Sequence, residues 1–233
     1  MVIYLYMSSP LSERIVQTSA QDFLTRRYRR RAKGGRLFSR IEVRTRRKYG
    51  GRRADGLLAF RHWVLGTYVV SMEAKSFKTI ASMRPVFDAY HFLKNCFYAG
   101  ITISLLSGAF FAVYKMEDGW LQFLIPVNAF LVGTLIYGLL TYRNYSHRLV
   151  GVIRQLEQYP ANEQWLAFSQ DSLEQMDRQE RSDLKKICRN HGIGILKVKP
   201  NRKVRILLKA RGKWIGNFLK YYANASGIRE HFE

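Results

Sequence analysis

The sequence has little that could build a disulfide framework, a zinc site or a nucleotide-binding loop. Its two cysteines, Cys96 and Cys188, form no CxxC pair, which predicts free thiols in a reducing compartment. The five histidines lack the spacing of zinc ligands. No Walker or dinucleotide loop is present. The apolar run Met1–Met7 is too short for a cleavable signal peptide, because Ser8-Ser9-Pro10 ends it.

Acidic residues are also scarce, and the imbalance of charge points to a polyanionic partner. The 233 residues include 17 Asp+Glu against 39 Lys+Arg, a formal net charge of +22. Such an excess suits nucleic acid or an anionic lipid surface. Residues 26–53 hold 14 Lys+Arg and one acid, and residues 197–220 hold nine and none. If residues 26–53 bind nucleic acid, we expect them on the same side of the domain as the reactive centre.

Charge is absent altogether from residues 96–114 and 120–142. A helix needs about 20 apolar residues to cross the hydrocarbon core of a bilayer. The five residues between the two stretches leave room only for a tight turn, which predicts a transmembrane helical hairpin over residues 91–145. The basic flanks place both termini in the cytoplasm, giving a multi-pass protein of the plasma (inner) membrane. A buried hairpin in a soluble domain is the competing interpretation.

The remaining segments, residues 1–90 and 146–233, predict one α/β domain cut in two by the hairpin. Ser9 and Pro10 suit a helix start, and Gly34-Gly35 is the expected end of that helix. Strands are expected over residues 37–46, 54–60 and 68–73, the last two as a hairpin. After the insertion we expect a helix over 148–159, a strand over 164–169 beside the third or second strand, a helix over 173–190, and a strand pair over 193–198 and 204–208.

The candidate chemistry lies on the second and third strands. Glu73 and Lys75 are two residues apart, so both project from one face of a strand, and Asp55 can face them across a hairpin. Two carboxylates can hold Mg²⁺ or Mn²⁺, and a lysine can stabilise charge on a phosphate. The alternatives are a solvated Glu-x-Lys pair, and a turn at Asp55-Gly56.

This arrangement resembles the PD-(D/E)xK nuclease superfamily, which has a restriction-endonuclease-like fold. The matching residues are Asp55, preceded by Ala54 instead of the proline of the motif, and Glu73-Ala74-Lys75. The resemblance implies a mixed-sheet αβββαβ core interrupted by the hairpin. It implies that Asp55, Glu73 and the Ala74 carbonyl bind metal and that Lys75 is catalytic. Glu13 is the candidate for a further acid on the first helix, although an acid there also favours the helix dipole.

The leading hypothesis is therefore a membrane-anchored, Mg²⁺-dependent endonuclease acting on DNA rather than RNA. A role in defence against foreign DNA, with a homo-oligomer or partner proteins of a defence system, would suit this location. The alternative is a non-enzymatic membrane effector or scaffold whose basic domain binds nucleic acid, lipid headgroups or a partner protein. The residues expected to bind phosphates are Arg44, Arg46, Arg47, Lys48, Arg52 and Arg53.

Overall fold

The computed structural model describes residues 10–113, 120–213 and 216–233, and the chain divides into two compact units. The first unit combines the residues up to Pro85 with those from Val150 onward, and the second is Val86–Leu149. Each unit is described separately below.

The described residues contain both helices and strands in each unit. The helices are α1 (Glu13–Arg29), α2 (Ala89–Val113), α3 (Leu121–Thr141), α4 (Gly151–Glu157), α5 (Gln170–Glu174), α6 (Arg178–Asn190) and α7 (Ala225–Glu230). The strands are β1 (Ala32–Arg44), β2 (Arg53–His62), β3 (Gly66–Lys75), β4 (Val86–Phe87), β5 (Arg148–Leu149), β6 (Glu163–Ser169), β7 (Gly194–Val198) and β8 (Val204–Leu208). Short 3₁₀ helices occur at Arg47–Tyr49, Phe77–Met83, Tyr145–His147 and Phe218–Tyr221.

The first unit is an α/β structure around a mixed six-stranded sheet of order β1-β2-β3-β6-β7-β8. The strands β1, β2 and β3 form an antiparallel series. The strands β3, β6 and β7 are parallel, and β8 returns antiparallel to β7. The prediction that the strand over residues 164–169 lies beside the third or second strand is confirmed, and its neighbour is β3. Residues from both sides of the inserted unit therefore build one sheet.

Helix α1 covers one face of this sheet because its apolar residues recur every four positions. Val16, Ala20, Leu24 and Tyr28 are fully buried and pack with Phe60 and other residues of β2, β3 and β6. Burial of a large apolar side chain stabilises the fold by about 1.5–3 kcal/mol. The helix is capped by Ser12, whose side chain accepts a hydrogen bond from the Ile15 amide. The predicted start at Ser9 and Pro10 was therefore wrong; Ser9 itself lies outside the described residues.

The opposite face of the sheet is covered by the C-terminal residues. Alternation along the strands turns Leu57, Ala59 and Val69 to this side, where they pack against Leu219, Tyr222, Ile228 and Phe232. The end of α4 reaches the same face, because the Ser71 hydroxyl donates a hydrogen bond to the Tyr159 carbonyl. Strands β2 and β3 are consequently enclosed on both faces.

The two ends of the sheet differ in chemistry. At one end, β1 begins at Ala32 opposite His62, and the exposed turn after His62 carries Trp63; we call this the Trp63 end. There the buried Glu163 accepts hydrogen bonds from the hydroxyls of Tyr28 and Tyr68 and pairs with Arg31 at 3.3 Å. At the other end, which we call the Asp55 end, β1 finishes at Arg44 opposite Arg53 and β3 finishes at Lys75.

The helix predicted over residues 148–159 is the shorter α4, since Arg148–Leu149 belongs to β5. Two further predicted boundaries were wrong for identifiable reasons. Gly34 and Gly35 do not end α1 but lie inside β1, where both have positive φ and the pairing with β2 is irregular. The predicted helix over residues 173–190 is two helices, because Asp177 starts α6 with a capping box whose other member is Glu180.

The second unit contains α2, α3 and the short antiparallel pair β4–β5. The two helices approach closely at glycines: a Cβ on Gly100 would lie 2.2 Å from Thr134 Oγ1, and one on Gly133 would lie 2.6 Å from Ile103 Cδ1. Within the described part of the chain, Phe123–Thr141 is long and apolar enough to cross a membrane, and the predicted first span, residues 96–114, does not pass the same test. The predicted turn at residues 115–119 lies outside the described residues.

Candidate active site

The hairpin of β2 and β3 brings Asp55 and Glu73 together at the Asp55 end of the sheet. The register pairs Gly56 with Met72, so the next residues along each strand are these two acids. Oδ2 of Asp55 accepts a hydrogen bond of 2.8 Å from the Ala74 amide. The Asp55-Gly56 turn is excluded as an alternative, because both residues lie inside β2.

Lys75 joins the two acids because it lies two residues beyond Glu73 on the same face of β3. Its Nζ is 2.6 Å from Glu73 Oε1. The Glu73 side chain is fully buried and that of Lys75 is 9% exposed, which excludes the solvated Glu-x-Lys pair. The second oxygen, Oε2 of Glu73, is buried and has no hydrogen-bond donor among the described residues while Asp55 is ionised, but a proton on either acid joins the two carboxyl groups.

The electrostatics of the three groups are coupled. Burial raises the pKa of Glu73 to about 8, the charge of Asp55 adds to the rise, and Lys75 opposes it. Burial also raises the pKa of Asp55, against the Ala74 hydrogen bond and the charge of Lys75. Burial works to lower the pKa of Lys75, but the nearby acids Glu73, Asp55 and Glu13 together outweigh burial, and the pKa is raised. Two carboxyl groups side by side with one lysine therefore retain a proton between them unless a further cation replaces it.

Glu13 approaches this group from the first turn of α1. Its Oε2 accepts a hydrogen bond of 3.0 Å from the Thr79 hydroxyl, and its charge acts on both Asp55 and Lys75. Thr79 in turn bonds to the Ser76 backbone just after β3. Glu13 is thus held at the rim of the site and not in direct contact with Glu73.

Sequence reasoning missed the glutamines that fix Asp55 in place. Gln17 Nε2 donates a 2.6 Å hydrogen bond to the Asp55 carbonyl, and Gln21 Nε2 donates one of 3.1 Å to the Leu57 carbonyl. Both glutamines are buried. Together with Glu13 they recur every four residues along α1, and such a polar row on a buried helix face is a signal that the sequence does contain.

Gly56 is required for α1 to come this close to the site. A Cβ at Gly56 would lie 2.3 Å from Gln21 Oε1 and 2.8 Å from Met72 Cε. Gln21 is held by its hydrogen bonds to Ser39 and to the strand backbone, so it cannot move aside freely. The glycine next to Asp55 therefore serves packing and not a turn.

The basic residues from Arg44 to Arg53 form the connection between β1 and β2, which we call the basic loop (Arg44–Arg53). It lies at the Asp55 end, and Arg53 precedes Asp55 by two residues on β2. Its arginines and Lys48 are exposed. Arg53 pairs with Glu42 at 3.5 Å, and Arg46 Nε bonds to the Tyr222 carbonyl at 3.1 Å. The six residues predicted to bind phosphates are thus at the same end of the sheet as the carboxyl pair.

The expectation that all of residues 26–53 lie beside the site was wrong. Strand β1 runs the length of the sheet, so the end of α1 and the first residues of β1 are at the Trp63 end. Arg29, Arg30 and Lys33 are exposed there. The structure thereby splits one basic segment into two surfaces at opposite ends of the domain.

The residues of the site fit a divalent cation. No group of three His, Cys, Asp or Glu side chains that could hold a metal occurs among the described residues. Mg²⁺, however, is commonly held by one or two carboxylates, with water and substrate phosphates completing its ligands. Asp55 and Glu73 supply two adjacent carboxyl groups, and a cation could replace the proton that joins them, because Oε2 of Glu73 is buried with no other described donor.

Comparisons with known proteins add no relative: no protein-family model, curated protein or solved structure matches the chain.

Proposed function

We propose that the protein is a Mg²⁺-dependent nuclease of the PD-(D/E)xK type that hydrolyses phosphodiester bonds of DNA. The observation that carries the proposal is the convergence of Asp55, Glu73 and Lys75 at one end of the central strand pair, with one Glu73 oxygen buried and without a described donor other than the neighbouring acid. Structural ion pairs also bury carboxylates, but they seldom place two acids side by side with one lysine, because an unpaired buried oxygen costs about 1–3 kcal/mol.

In this proposal the chain's own residues divide the work. Asp55, Glu73 and the Ala74 carbonyl would hold Mg²⁺, or Mn²⁺ in its place. When bound, the cation supplies a positive charge that polarises the phosphate and acidifies a water molecule. Lys75 would leave Glu73 and orient that water or stabilise the negative charge that develops on the phosphate. The basic loop (Arg44–Arg53) would hold the phosphates on either side.

The order of elements supports a restriction-endonuclease-like core. Helix α1, the antiparallel strands β1, β2 and β3, helix α4 and the parallel strand β6 follow one another as αβββαβ once the second unit is removed. In that arrangement the acids of the motif lie on the second and third strands, as Asp55 and Glu73 do here.

We further propose that the second unit anchors the nuclease in the plasma membrane as a two-helix hairpin with both termini in the cytoplasm. Support comes from the apolar surface of α2 and α3. Large apolar side chains are exposed along both helices, among them Leu105, Leu106, Leu135, Leu139 and Leu140. Only 6% of the residues in the span Phe123–Thr141 are buried, which is unlike the core helix of a globular unit. In this proposal lipid covers the apolar surface of α3 that no other part of the protein covers.

A nuclease held there would meet DNA that enters the cell, and defence against foreign DNA is the role that we propose, with other chains of this protein or of a defence system as partners. The test is cleavage of plasmid DNA by the detergent-solubilised protein with Mg²⁺ and with EDTA. We expect Glu73→Ala and Lys75→Ala to abolish Mg²⁺-dependent cleavage while DNA binding is retained. Equal cleavage by both variants and the parent would show that the active-site assignment is wrong, and a parent that cleaves no DNA would favour the non-enzymatic scaffold.

A further inference from the structure

Two tyrosines lie beside the basic loop. Tyr49 ends the 3₁₀ helix within that loop, and its ring meets the ring of Tyr221 edge-on, with centroids 4.6 Å apart. Lys48 Nζ lies 4.9 Å from the centre of the Tyr49 ring, and Lys220 Nζ lies 5.3 Å from that of Tyr221. We call these four residues the Tyr49 surface. It combines aromatic rings with cations at the Asp55 end of the sheet.

Backbone bonds that involve no side chain of the Tyr49 surface hold the basic loop. The Arg46 amide donates a 2.8 Å hydrogen bond to the Tyr221 carbonyl, and Thr45 forms an isolated antiparallel bridge with Tyr222. Tyr222 is fully buried and anchors this segment in the core. Tyr49, in contrast, is 36% exposed. An exposed ring with cations on it, in a loop that is fixed by other bonds, is available to a ligand.

The chemistry of this surface selects a class of nucleic acid. Phosphates bind cations whatever the form of the nucleic acid, so lysines do not distinguish single strands from duplexes. An aromatic ring does, because the faces of bases within a continuous duplex are covered by their neighbours, whereas an unpaired base can stack on a tyrosine. Rings interleaved with cations are the arrangement by which single strands are bound without regard to sequence.

We infer that the Tyr49 surface stacks an unpaired base while Lys48 and Lys220 neutralise the phosphates beside it. The protein would then take single-stranded segments, ends or flaps in preference to continuous duplex. This inference rests on the proposed nuclease function for its biological meaning, because it specifies which nucleic acid the reactive centre receives. The binding itself does not depend on cleavage.

The experiment measures binding with no divalent cation, so that nothing is cleaved. The detergent-solubilised full chain is titrated, with fluorescence anisotropy as the readout, against a labelled oligothymidylate and against a blunt duplex of equal length. We expect the parent to prefer the oligothymidylate. Tyr49→Leu should weaken binding of the oligothymidylate by about fivefold or more, since one stacked base accounts for at least that ratio, and should leave duplex binding within about twofold of the parent. Tyr49→Phe keeps the ring and should bind as the parent does.

The matched control is Trp63→Leu, which removes an exposed aromatic side chain at the opposite end of the sheet and should change neither affinity. Equal losses on both ligands for Tyr49→Leu, accompanied by a lower Tm, would mean that Tyr49 only supports the loop and would overturn the inference. A parent without preference for the single strand would overturn it as well. Cleavage of DNA with Mg²⁺ is assayed separately. If the parent cleaves no DNA but Tyr49→Leu still loses single-strand binding, the proposed nuclease function is refuted and the inference about the Tyr49 surface is retained.

Discussion

The raised pKa of Glu73 gives the strongest single prediction about the site. Its pKa is about 8 in the folded protein, against 4.5 as the ordinary value. Because the pKa of Glu73 is higher in the folded protein than in the unfolded chain, the protonated side chain contributes its full stabilisation below pH 4.5. This contribution is lost as the pH rises towards 8. Each pH unit within that window removes about 1.4 kcal/mol, so raising the pH from 5 to 8 should cost about 4 kcal/mol at most.

The measurement is the Tm of the detergent-solubilised protein as a function of pH in EDTA. A loss of about 4 kcal/mol corresponds to a fall in Tm on the order of 10 °C in a domain of this size. Glu73→Gln cannot ionise and should lack this part of the pH dependence. Glu230→Gln, which changes an exposed acid on α7, should keep it.

Divalent cation should reverse the effect. Mg²⁺ that binds Asp55 and Glu73 displaces the proton held between them, so its affinity rises with pH. It should therefore raise the Tm more at pH 8 than at pH 5, and it should raise that of Glu73→Gln less than that of the parent. The reasoning is refuted if Glu73→Gln follows the parent at every pH, or if Mg²⁺ stabilises both proteins equally.

Two further predictions concern the surroundings of the site. Arg47→Glu, a charge reversal on the basic loop, should weaken DNA binding and reduce the slope of log affinity against log salt by about 0.9 for each phosphate that the protein no longer neutralises. An unchanged salt titration for Arg47→Glu would argue against the loop as the binding surface. As a control, Arg30→Glu at the Trp63 end should not impair Mg²⁺-dependent cleavage. Gly56→Ala should destabilise the first unit by about 1–3 kcal/mol in thermal or denaturant unfolding, because the new Cβ collides with Gln21. Adding Gly56→Ala to Gln21→Ala should cost less than Gly56→Ala costs in the parent, because only the contact with Met72 Cε remains, and additive costs would show that the collision with Gln21 is not the cause.

The strands were predictable where a local pattern decides their position. The β2–β3 hairpin follows from two runs of buried residues with a turn between them, and its register places Asp55 and Glu73 opposite one another. The entry of β6 into this sheet also followed, because the three strands of the first segment needed a partner from the second, although the sequence left open whether β2 or β3 is its neighbour. The alternation of apolar residues fixes which face of a strand is buried.

Other features depend on contacts that are distant along the chain. Gln17 reaches Asp55, which is 38 residues away, and Tyr221 meets the basic loop from the C-terminal segment. No local pattern encodes such contacts. Caps are similarly ambiguous, since Ser9 and Ser12 both suit a helix start, and the structure uses Ser12. Residues 26–53 are divided between two ends of the sheet because β1 is long. The sequence prediction missed this because it ended α1 too late in the chain and so made β1 too short.

The pairing of β3 with β6 has a consequence for synthesis of the protein on the ribosome. Val70 pairs with Glu163 and Lys75 with Phe168, and all of α2 and α3 lies between these partners in the chain. Because synthesis proceeds from the N-terminus, β3 can pair with β2 early. Its neighbour on the other side, β6, is made only after both helices. If those helices enter the bilayer as they are made, the nascent chain is tethered there before the strand that carries Glu73 and Lys75 is enclosed, and the proposed active site would be completed only at the membrane.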